Sequence, residues 1–212
     1  MGQGLYTKVV QIVATTLQVD VGDISCTATR TDKVPNTSPT AASSGSDLNG
    51  MAAKQAAETL KHRLSEFAAK HFAVDTSAVQ FASGHIHIGG QTLTFAELAY
   101  LAYVNRVSLS AVGYYRTPKI HYDRSLARGR PFYYFAYGAA VSEVIVDTLT
   151  GEYKVHRVDI CHDVGESLNP ALDLGQIEGG FIQGMGWVTN EELVWDDEGR
   201  LLTDGPATYL SL

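Results

Sequence analysis

The amino-acid sequence predicts an α+β fold in which mixed and antiparallel sheets pack with several helices. Two observations carry this prediction. Apolar residues recur at helical spacing in several segments, and short alternating segments bounded by glycine-containing turns lie between them. With 212 residues, of which 45% are apolar, the chain is long enough to bury one sizeable core. We therefore expect residues 1–212 to form a single domain or two closely joined lobes.

The first part of the chain predicts a helix, a strand and a loop. Apolar residues at helical spacing indicate a helix over 3–18, and alternating apolar and polar residues indicate a strand over 23–29. A loop rich in Ser, Thr and Pro follows over 30–46. Ser46 and Asp47 offer oxygen atoms that can cap the helix that comes next.

The middle of the chain predicts a long helix and a small group of strands. Apolar residues recur along one face of the segment 47–72, with charged residues on its other faces. Glycines separate three short segments, 79–82, 85–88 and 91–94, as in a hairpin system. A further helix is expected over 95–105.

The second half of the chain begins with strands and ends with a helix and a hairpin. The segments 141–146 and 153–160 flank the turn sequence 147–151, which is a strong hairpin signal. A helix is expected over 170–192, because Pro170 suits a first helical turn. The last hairpin is expected over 193–202.

Several glycines lie along the helix expected over 170–192. Each interior glycine costs a helix roughly 0.5–1 kcal/mol relative to alanine. So many of them suggest close packing against another element or against a ligand, and the glycine pattern by itself favours a helix contact without a ligand. The glycines are Gly175, Gly179, Gly180, Gly184 and Gly186.

Charge and composition argue against several classes of partner. The net charge is −7 and the basic residues are scattered, which disfavours binding to nucleic acid or to an anionic membrane. Arg124, Arg128 and Arg130 are expected in a solvated loop. No apolar run approaches the roughly 18 residues that span a bilayer, and no signal peptide opens the chain. Cys26 and Cys161 are too few to staple the chain, so reduced thiols and a cytoplasmic location are expected.

Two segments offer backbone groups to a ligand. Gly2 and Gly4 flank Gln3, whose amide is both donor and acceptor. The hydroxyl-rich segment Val34–Asp47 would place backbone N–H groups beside the positive end of a helix. On composition alone, a mobile linker explains the second segment equally well.

Three segments, in this order, resemble the molybdenum-binding subunit of the molybdenum hydroxylases, the xanthine dehydrogenase and aldehyde oxidase family. They are Gly2-Gln3-Gly4, the loop Pro35-Asn-Thr-Ser-Pro-Thr-Ala-Ala-Ser43, and Asp163–Gly186 with its sequence Gly-Gln-Ile-Glu-Gly-Gly. Further stretches, such as Tyr114–Pro118 and Tyr133–Gly138, also look like the family. The family subunit extends beyond both ends of the matching region, so the resemblance implies an internal piece of a longer protein.

The resemblance implies a molybdopterin site. The residues at positions that contact the cofactor in the family are Met1, Gln3, Ala42, Ser43, Ser44, Gly45 and Gln176. Ser44 and Gly45 are smaller than the residues that many relatives carry, so we expect contacts there through the backbone.

The family also implies the chemistry of the longer protein. Its members hydroxylate purines or aldehydes with water as the oxygen source, and a glutamate acts as general base. That glutamate lies beyond the C-terminal end of this chain, so no catalytic residue is expected here. The remainder of the molybdenum subunit and the parts that carry Fe–S clusters and FAD are the expected partners. The main alternative is a binding or interaction domain that keeps the fold without the cofactor.

Other chemical groupings in the sequence are weaker. His85 and His87 share one face of a predicted strand, but no further ligand has matching spacing, so no metal site is predicted. Cys161, His162 and Asp163 are adjacent, and strand alternation would turn His162 away from the other two.

Overall fold

The computed structural model describes residues 2–27, 30, 32, 40, 43–205 and 207–208. The chain divides into two compact units, Met1–Tyr134 and Phe135–Leu212. The described residues form helices and antiparallel strand pairs, which confirms the predicted α+β class. The expectation of one domain or closely joined lobes stays a prediction, and the units are described separately below.

Two helices begin the first unit. Helix α1 spans Leu5–Leu17, and helix α2 spans Gly45–Phe72. They pack so closely that a Cβ atom on the buried Gly50 would lie 2.6 Å from Cδ1 of Ile12. The predicted bounds of both helices are confirmed to within a few residues.

The segment after α1 differs from its prediction. Residues Val21–Asp23 form a short 3-10 helix, and residues 24–27 are irregular rather than strand. Asp20 explains the start of this turn, because its carboxylate accepts the N–H of Gly22 at 2.7 Å. Residues 28 and 29, the rest of the predicted strand, lie outside the described part of the chain.

A three-stranded antiparallel sheet follows α2. Its strands are β1 (Val79–Ala82), β2 (His85–Ile88) and β3 (Gln91–Thr94), in the order β1-β2-β3. These are the predicted bounds, so the glycine-separated pattern is confirmed. Helix α3, Phe95–Val104, begins directly after β3.

The core of the first unit lies where this sheet meets α2 and α3. Ile86 and Ile88 of β2 are 0% and 1% exposed, and each such burial is worth roughly 1.5–3 kcal/mol. The alternation of the strand turns His85 and His87 outward. The other buried members of the cluster are Leu64, Ala68, Leu98 and Ala102.

An extended segment, residues 108–115, lies along α2, and we call it the strap. The guanidinium of Arg63 donates to the carbonyls of Ser108 and Ser110, at 2.7 and 3.0 Å. Gly113 touches the α2 backbone, because a Cβ atom there would overlap the carbonyl oxygen of Ala52. The strap is therefore fixed against α2 at more than one point.

The segment with the basic cluster forms a hairpin rather than only a loop. Strand β4, His121–Asp123, pairs with β5, Arg128–Arg130. Asp123 organises the turn, because its carboxylate accepts the N–H groups of Ser125 and Leu126. The prediction of a loop at Arg128 and Arg130 was therefore wrong, although both residues are exposed.

The second unit contains a long hairpin and a helix. Strands β6 (Gly138–Val146) and β7 (Tyr153–His162) pair antiparallel, as the turn sequence predicts. Helix α4 spans Pro170–Thr189 and is capped by the side chain of Asn169. Trp195 and Leu201 form a single bridge in the last predicted hairpin.

The second unit has little interior of its own. None of the described residues after Tyr134 is buried. A Cβ atom on Gly175, Gly179, Gly180 or Gly184 of α4 would meet nothing within 4 Å, whereas one on Gly186 would meet the carboxylate of Glu191. The close packing expected at these four glycines is therefore absent within the described residues. Over the same residues, no helix has both the length and the apolar content to cross a membrane.

Candidate functional site

The turn before α1 carries the first predicted site residue. Gln3 is half-buried in this turn, which lies directly before the helix. Gly4 follows with φ 72° and ψ 19°, a left-handed conformation that strains residues with a Cβ atom. Glycine at position 4 therefore sets the direction in which the Gln3 turn enters the helix.

The start of α2 carries three more predicted site residues. Ser43 is exposed and has φ 54°, and Ser44 is the N-cap residue. The Ser44 side chain makes no capping hydrogen bond to the helix. The carbonyl of Ser44 accepts the N–H of Leu48 at 2.9 Å, so intrahelical bonding begins there and leaves the N–H groups of Gly45 and Ser46 without a helical acceptor.

These two segments meet at Gly45. A Cβ atom on Gly45 would lie 2.8 Å from Cδ2 of Leu5 and 3.4 Å from Cγ2 of Thr40. Leu5 is the first residue of α1 and is buried. The absence of a side chain at Gly45 therefore lets the Gln3 turn and the start of α2 come together.

Asp47, in the first turn of α2, joins two tyrosines that are distant in sequence. The hydroxyl of Tyr134 donates to Oδ2 of Asp47 at 3.3 Å, and Tyr115 lies near enough to the Asp47 carboxylate for that charge to act on its pKa. Burial and then the negative charge of Asp47 raise the pKa of both tyrosines. Both hydroxyls are therefore protonated donors at neutral pH.

Sequence reasoning missed this cluster. Tyr115 and Tyr134 lie in stretches that resemble the family, but no local pattern links them to Asp47. Tyr134 is 87 positions away from Asp47 along the chain. Only the tertiary structure brings the three side chains together.

The remaining predicted site residues lie elsewhere. Gln176 is exposed on α4 and belongs to the second unit. Met1 and Ala42 lie outside the described residues. The structure therefore brings Gly45 against Leu5, which lies two residues after Gln3, and it places Gln176 on a separate unit.

Metal-ligating side chains do not converge in the part of the chain that the structure describes. No group of three His, Cys, Asp or Glu residues there has the arrangement of a metal site. Nδ1 of His85 lies 3.0 Å from the carbonyl oxygen of Ser83, and Nδ1 of His87 lies 3.0 Å from Oγ1 of Thr92. These rings are held by local contacts within the sheet and its turn.

A family comparison decides what kind of domain this is. The sequence model described as "Molybdopterin cofactor-binding domain" matches residues 1–212. The chain belongs to this family. Among its relatives, a xanthine dehydrogenase of Oryza sativa subsp. japonica is 44% identical over 216 residues, and one of Dictyostelium discoideum is 46% identical over 212 residues. A xanthine dehydrogenase/oxidase of Mus musculus is 46% identical over 209 residues.

These relatives are much longer than this chain. The alignments cover 99% of this chain but only 14% of the length of each of the three relatives. The chain therefore spans about one seventh of the proteins that it matches.

Solved structures agree with the fold. Quinoline 2-oxidoreductase from Pseudomonas putida 86 matches with a TM-score of 0.78 at 24% identity, which shows similarity of fold alone. CO dehydrogenase from Oligotropha carboxidovorans matches with a TM-score of 0.80 at 25% identity. Each match covers 100% of this chain and 26% of the solved chain.

The described residues have groups that suit molybdopterin, which combines a polar pterin ring with a phosphate. The backbone N–H groups of Gly45 and Ser46 lie at the positive end of a 28-residue helix and suit an anionic group. The nearby amide of Gln3 can donate to and accept from a pterin edge. The donor set around Gly45 therefore fits part of such a cofactor.

Proposed function

We propose that this chain forms part of the cofactor cradle of a xanthine dehydrogenase-like molybdenum enzyme. The observation that carries the proposal is the meeting of the Gln3 turn with the start of α2 at Gly45, in a chain that belongs to the molybdopterin-binding family. The proposed contacts are made by Met1, Gln3, Ala42, Ser43, Ser44, Gly45 and Gln176.

The longer protein would hydroxylate a purine or an aldehyde with water as the source of oxygen. The bound cofactor supplies the oxygen transfer and accepts the electron pair. Residues of this chain bind and orient the cofactor through backbone N–H groups and amides. The general base belongs to polypeptide beyond this chain.

The proposed partners follow from the same assignment. They are the remainder of the molybdenum subunit and the domains or subunits that carry Fe–S clusters and FAD. Their presence would let electrons leave the molybdenum centre. The sequence identity to xanthine dehydrogenases, 44–46% over nearly the whole chain, supports this assignment of partners. A cytoplasmic location is proposed as well.

The test compares the chain alone with the longer parent protein. The chain alone should contain no molybdenum after purification and should form no urate from hypoxanthine, because it holds only part of the cradle and no base. The parent should contain molybdenum in near-stoichiometric amount and should hydroxylate a purine or an aldehyde.

Either half of this test can contradict the proposal. Enzyme-dependent urate from the chain alone would show that the chain carries its own catalytic machinery. A parent without molybdenum would favour a binding domain that has kept the fold and lost the cofactor.

A further inference from the structure

The positive charge of this chain is concentrated in one hairpin. Residues 116–130, which include β4 and β5 and which we call the basic hairpin, contain five Lys and Arg residues and one Asp. The other residues of the chain contain 11 Lys and Arg residues and 22 Asp and Glu residues. The basic hairpin therefore has a net charge of +4, whereas the remainder of the chain has a net charge of −11.

Most of this positive charge is not neutralised by an ion pair. The acidic residue of the hairpin, Asp123, uses its carboxylate to accept the N–H groups of Ser125 and Leu126 in the turn. The guanidinium of Arg130 donates to two backbone carbonyls. Within the described residues, the ion pairs do not include the four other cations of the hairpin, all of them exposed: Arg116, Lys119, Arg124 and Arg128.

The strand register places part of this charge on one face of the hairpin. His121 lies opposite Arg130, and Asp123 lies opposite Arg128. Opposite residues of an antiparallel pair point to the same face, as do residues two apart along a strand. These four residues therefore share one face, and Tyr122 points to the other.

Exposed apolar side chains accompany the charge. Tyr122 is 48% exposed, and Leu126, which lies in the turn, is 66% exposed. Arg and Tyr are enriched in protein–protein interfaces relative to the rest of a protein surface. The hairpin thus has the composition of a surface that binds another protein.

The charge of the rest of the chain distinguishes between classes of anionic partner. A nucleic acid duplex and an anionic bilayer are extended, so they would also meet parts of the chain whose net charge is −11. That repulsion would oppose binding. An acidic patch on a folded protein can be limited to the area of the hairpin, where complementary charges favour one orientation and speed association.

We propose that the basic hairpin binds an acidic protein surface on a part of the parent protein that lies outside this chain. Relatives of this chain contain ample further polypeptide, because the chain spans only 14% of their length. The inference rests on the proposed function, which expects the rest of the molybdenum subunit and the Fe–S and FAD parts as partners. Carboxylates of that surface pair with the cations of the hairpin, and Tyr122 and Leu126 add apolar contacts.

Carbodiimide cross-linking of the parent identifies the partner, because this reagent joins an amine directly to a carboxylate that it contacts. The hairpin has one lysine, Lys119, and Arg124→Lys with Arg128→Lys adds two amines while keeping the charge. Mass spectrometry should find links from these lysines to Asp or Glu residues outside 1–212. Arg106→Lys is the matched control, since Arg106 is exposed but lies outside the hairpin, and it should give no such links.

Three results would overturn the inference. Links only to carboxylates of residues 1–212 would mean that this chain or a second copy of it neutralises the hairpin. No links at all would mean that the hairpin is solvated. Retention of the isolated chain on vesicles of anionic phospholipid, abolished by Arg124→Glu with Arg128→Glu, would favour a membrane over a protein partner.

Hydrogen exchange tests whether the contact depends on charge. Exchange at residues 121–130 should be about tenfold slower in the parent than in the isolated chain, because the partner must leave before the hairpin opens. Arg124→Glu with Arg128→Glu should remove this protection, whereas the two Lys substitutions should keep it. Exchange at residues 60–70, which include core positions of α2, should stay unchanged.

Equal protection of the hairpin in the Glu and Lys variants would contradict a role for charge. Arg124→Gln with Arg128→Gln takes the place of the Glu variant if that variant does not fold. Both readouts are independent of the cofactor. A parent that lacks molybdopterin but forms the expected links would contradict the proposed function and leave the contact in place. A loaded parent whose hairpin lysines form no such links would remove this inference alone.

Discussion

Glycines in the two units differ in what surrounds the position of the missing side chain. At Gly45 and Gly113 that position is filled by Leu5 and by the α2 backbone, so each glycine permits a contact between segments. At Gly179 in α4 the same position is open within the described residues. The first kind of glycine is required by packing inside this chain, and the second kind is not.

Replacing Gly113 by alanine should therefore destabilise the isolated chain. The new Cβ atom would overlap the carbonyl oxygen of Ala52 and would lift the strap from α2, at a cost of about 1–3 kcal/mol. Gly179→Ala is the matched control and should raise stability by about 0.5–1 kcal/mol through helix propensity. Chemical denaturation measures both changes. Equal free energies of unfolding for the two variants would mean that the strap does not touch α2 in solution.

Substitution of the two glutamines of the proposed site, Gln3 and Gln176, gives a second test at the scale of single residues. In the parent, Gln3→Leu or Gln176→Leu keeps most of the side-chain volume but removes the partner of a polar cofactor edge. We expect a cost of about 1–3 kcal/mol, which is roughly tenfold to over a hundredfold in cofactor retention. Gln183→Leu on the same helix is the control.

Molybdenum occupancy and the thermal midpoint should be measured on the same samples. Loss of occupancy is the expected result for both site variants, with a midpoint no lower than that of the cofactor-free wild-type parent, because loss of a bound cofactor by itself lowers the midpoint. Full occupancy in Gln176→Leu would remove Gln176 from the site and leave the assignment on the first unit.

Motif order in the sequence singled out the Gln3 turn and the Ser43–Gly45 segment, and their contacts with a cofactor stay a prediction. It did not predict the approach of Tyr115 and Tyr134 to Asp47. Contacts between residues so distant in sequence depend on how the strap and the 130–134 segment fold back, which no local pattern encodes. The predicted cofactor contacts of Met1 and Ala42, which lie outside the described residues, also stay predictions.

At the scale of elements, glycine turns explain why the first sheet was predicted well. Glycines at 84 and at 89–90 have positive φ values and end the strands where the sequence indicates. A strand was predicted over 23–29, but residues 24–27 are irregular. The Asp20 carboxylate stabilises a local turn just before them instead. Alternation of residue types alone does not provide a partner strand.

The hydrogen bonds at the start of α3 predict how the stability of the fold depends on pH. Glu97 accepts hydrogen bonds from the backbone N–H and the hydroxyl of Thr94, at 2.7 and 2.8 Å, and the backbone bond lowers the pKa of Glu97 most. Because the folded pKa lies below the unfolded one, this contribution to stability is fully present above the unfolded pKa. It is lost as the pH falls through the folded pKa.

Glu97→Gln should therefore destabilise the chain at neutral pH, and the difference from wild type should shrink in acid. The glutamine keeps the shape of the side chain but removes the titrating charge. Free energies of unfolding measured from pH 7 to pH 3 test this. A difference that stays constant over that range would contradict a role for the ionised carboxylate.

At the scale of the whole molecule, buried structure is unevenly distributed. The core cluster of Ile86, Ile88 and their neighbours lies in the first unit, whereas no described residue of the second unit is buried. The exposed large apolar residues of the second unit include Val141, Ile182 and Trp187. In a chain that spans 14% of the length of its relatives, such a surface is consistent with further polypeptide covering it in the parent.

This distribution predicts how proteolysis of the isolated chain proceeds. Trypsin should cut at Lys154 and Arg157, which are exposed on β7, before it cuts at Lys61 and Arg63 of α2. Cleavage requires local opening, and α2 opens only when the core cluster is disrupted, whereas the hairpin of β6 and β7 has no buried side chain to lose. Mass spectrometry of the early digestion products shows the order of cleavage.

The same sites should be cut more slowly in the parent. If further polypeptide covers the apolar surface there, cleavage at Lys154 and Arg157 should be slower by at least about tenfold, as expected where local opening costs a further 1.4 kcal/mol or more. Equal cleavage rates for these sites in the isolated chain and in the parent would show that the second unit is as open in the longer protein as it is here.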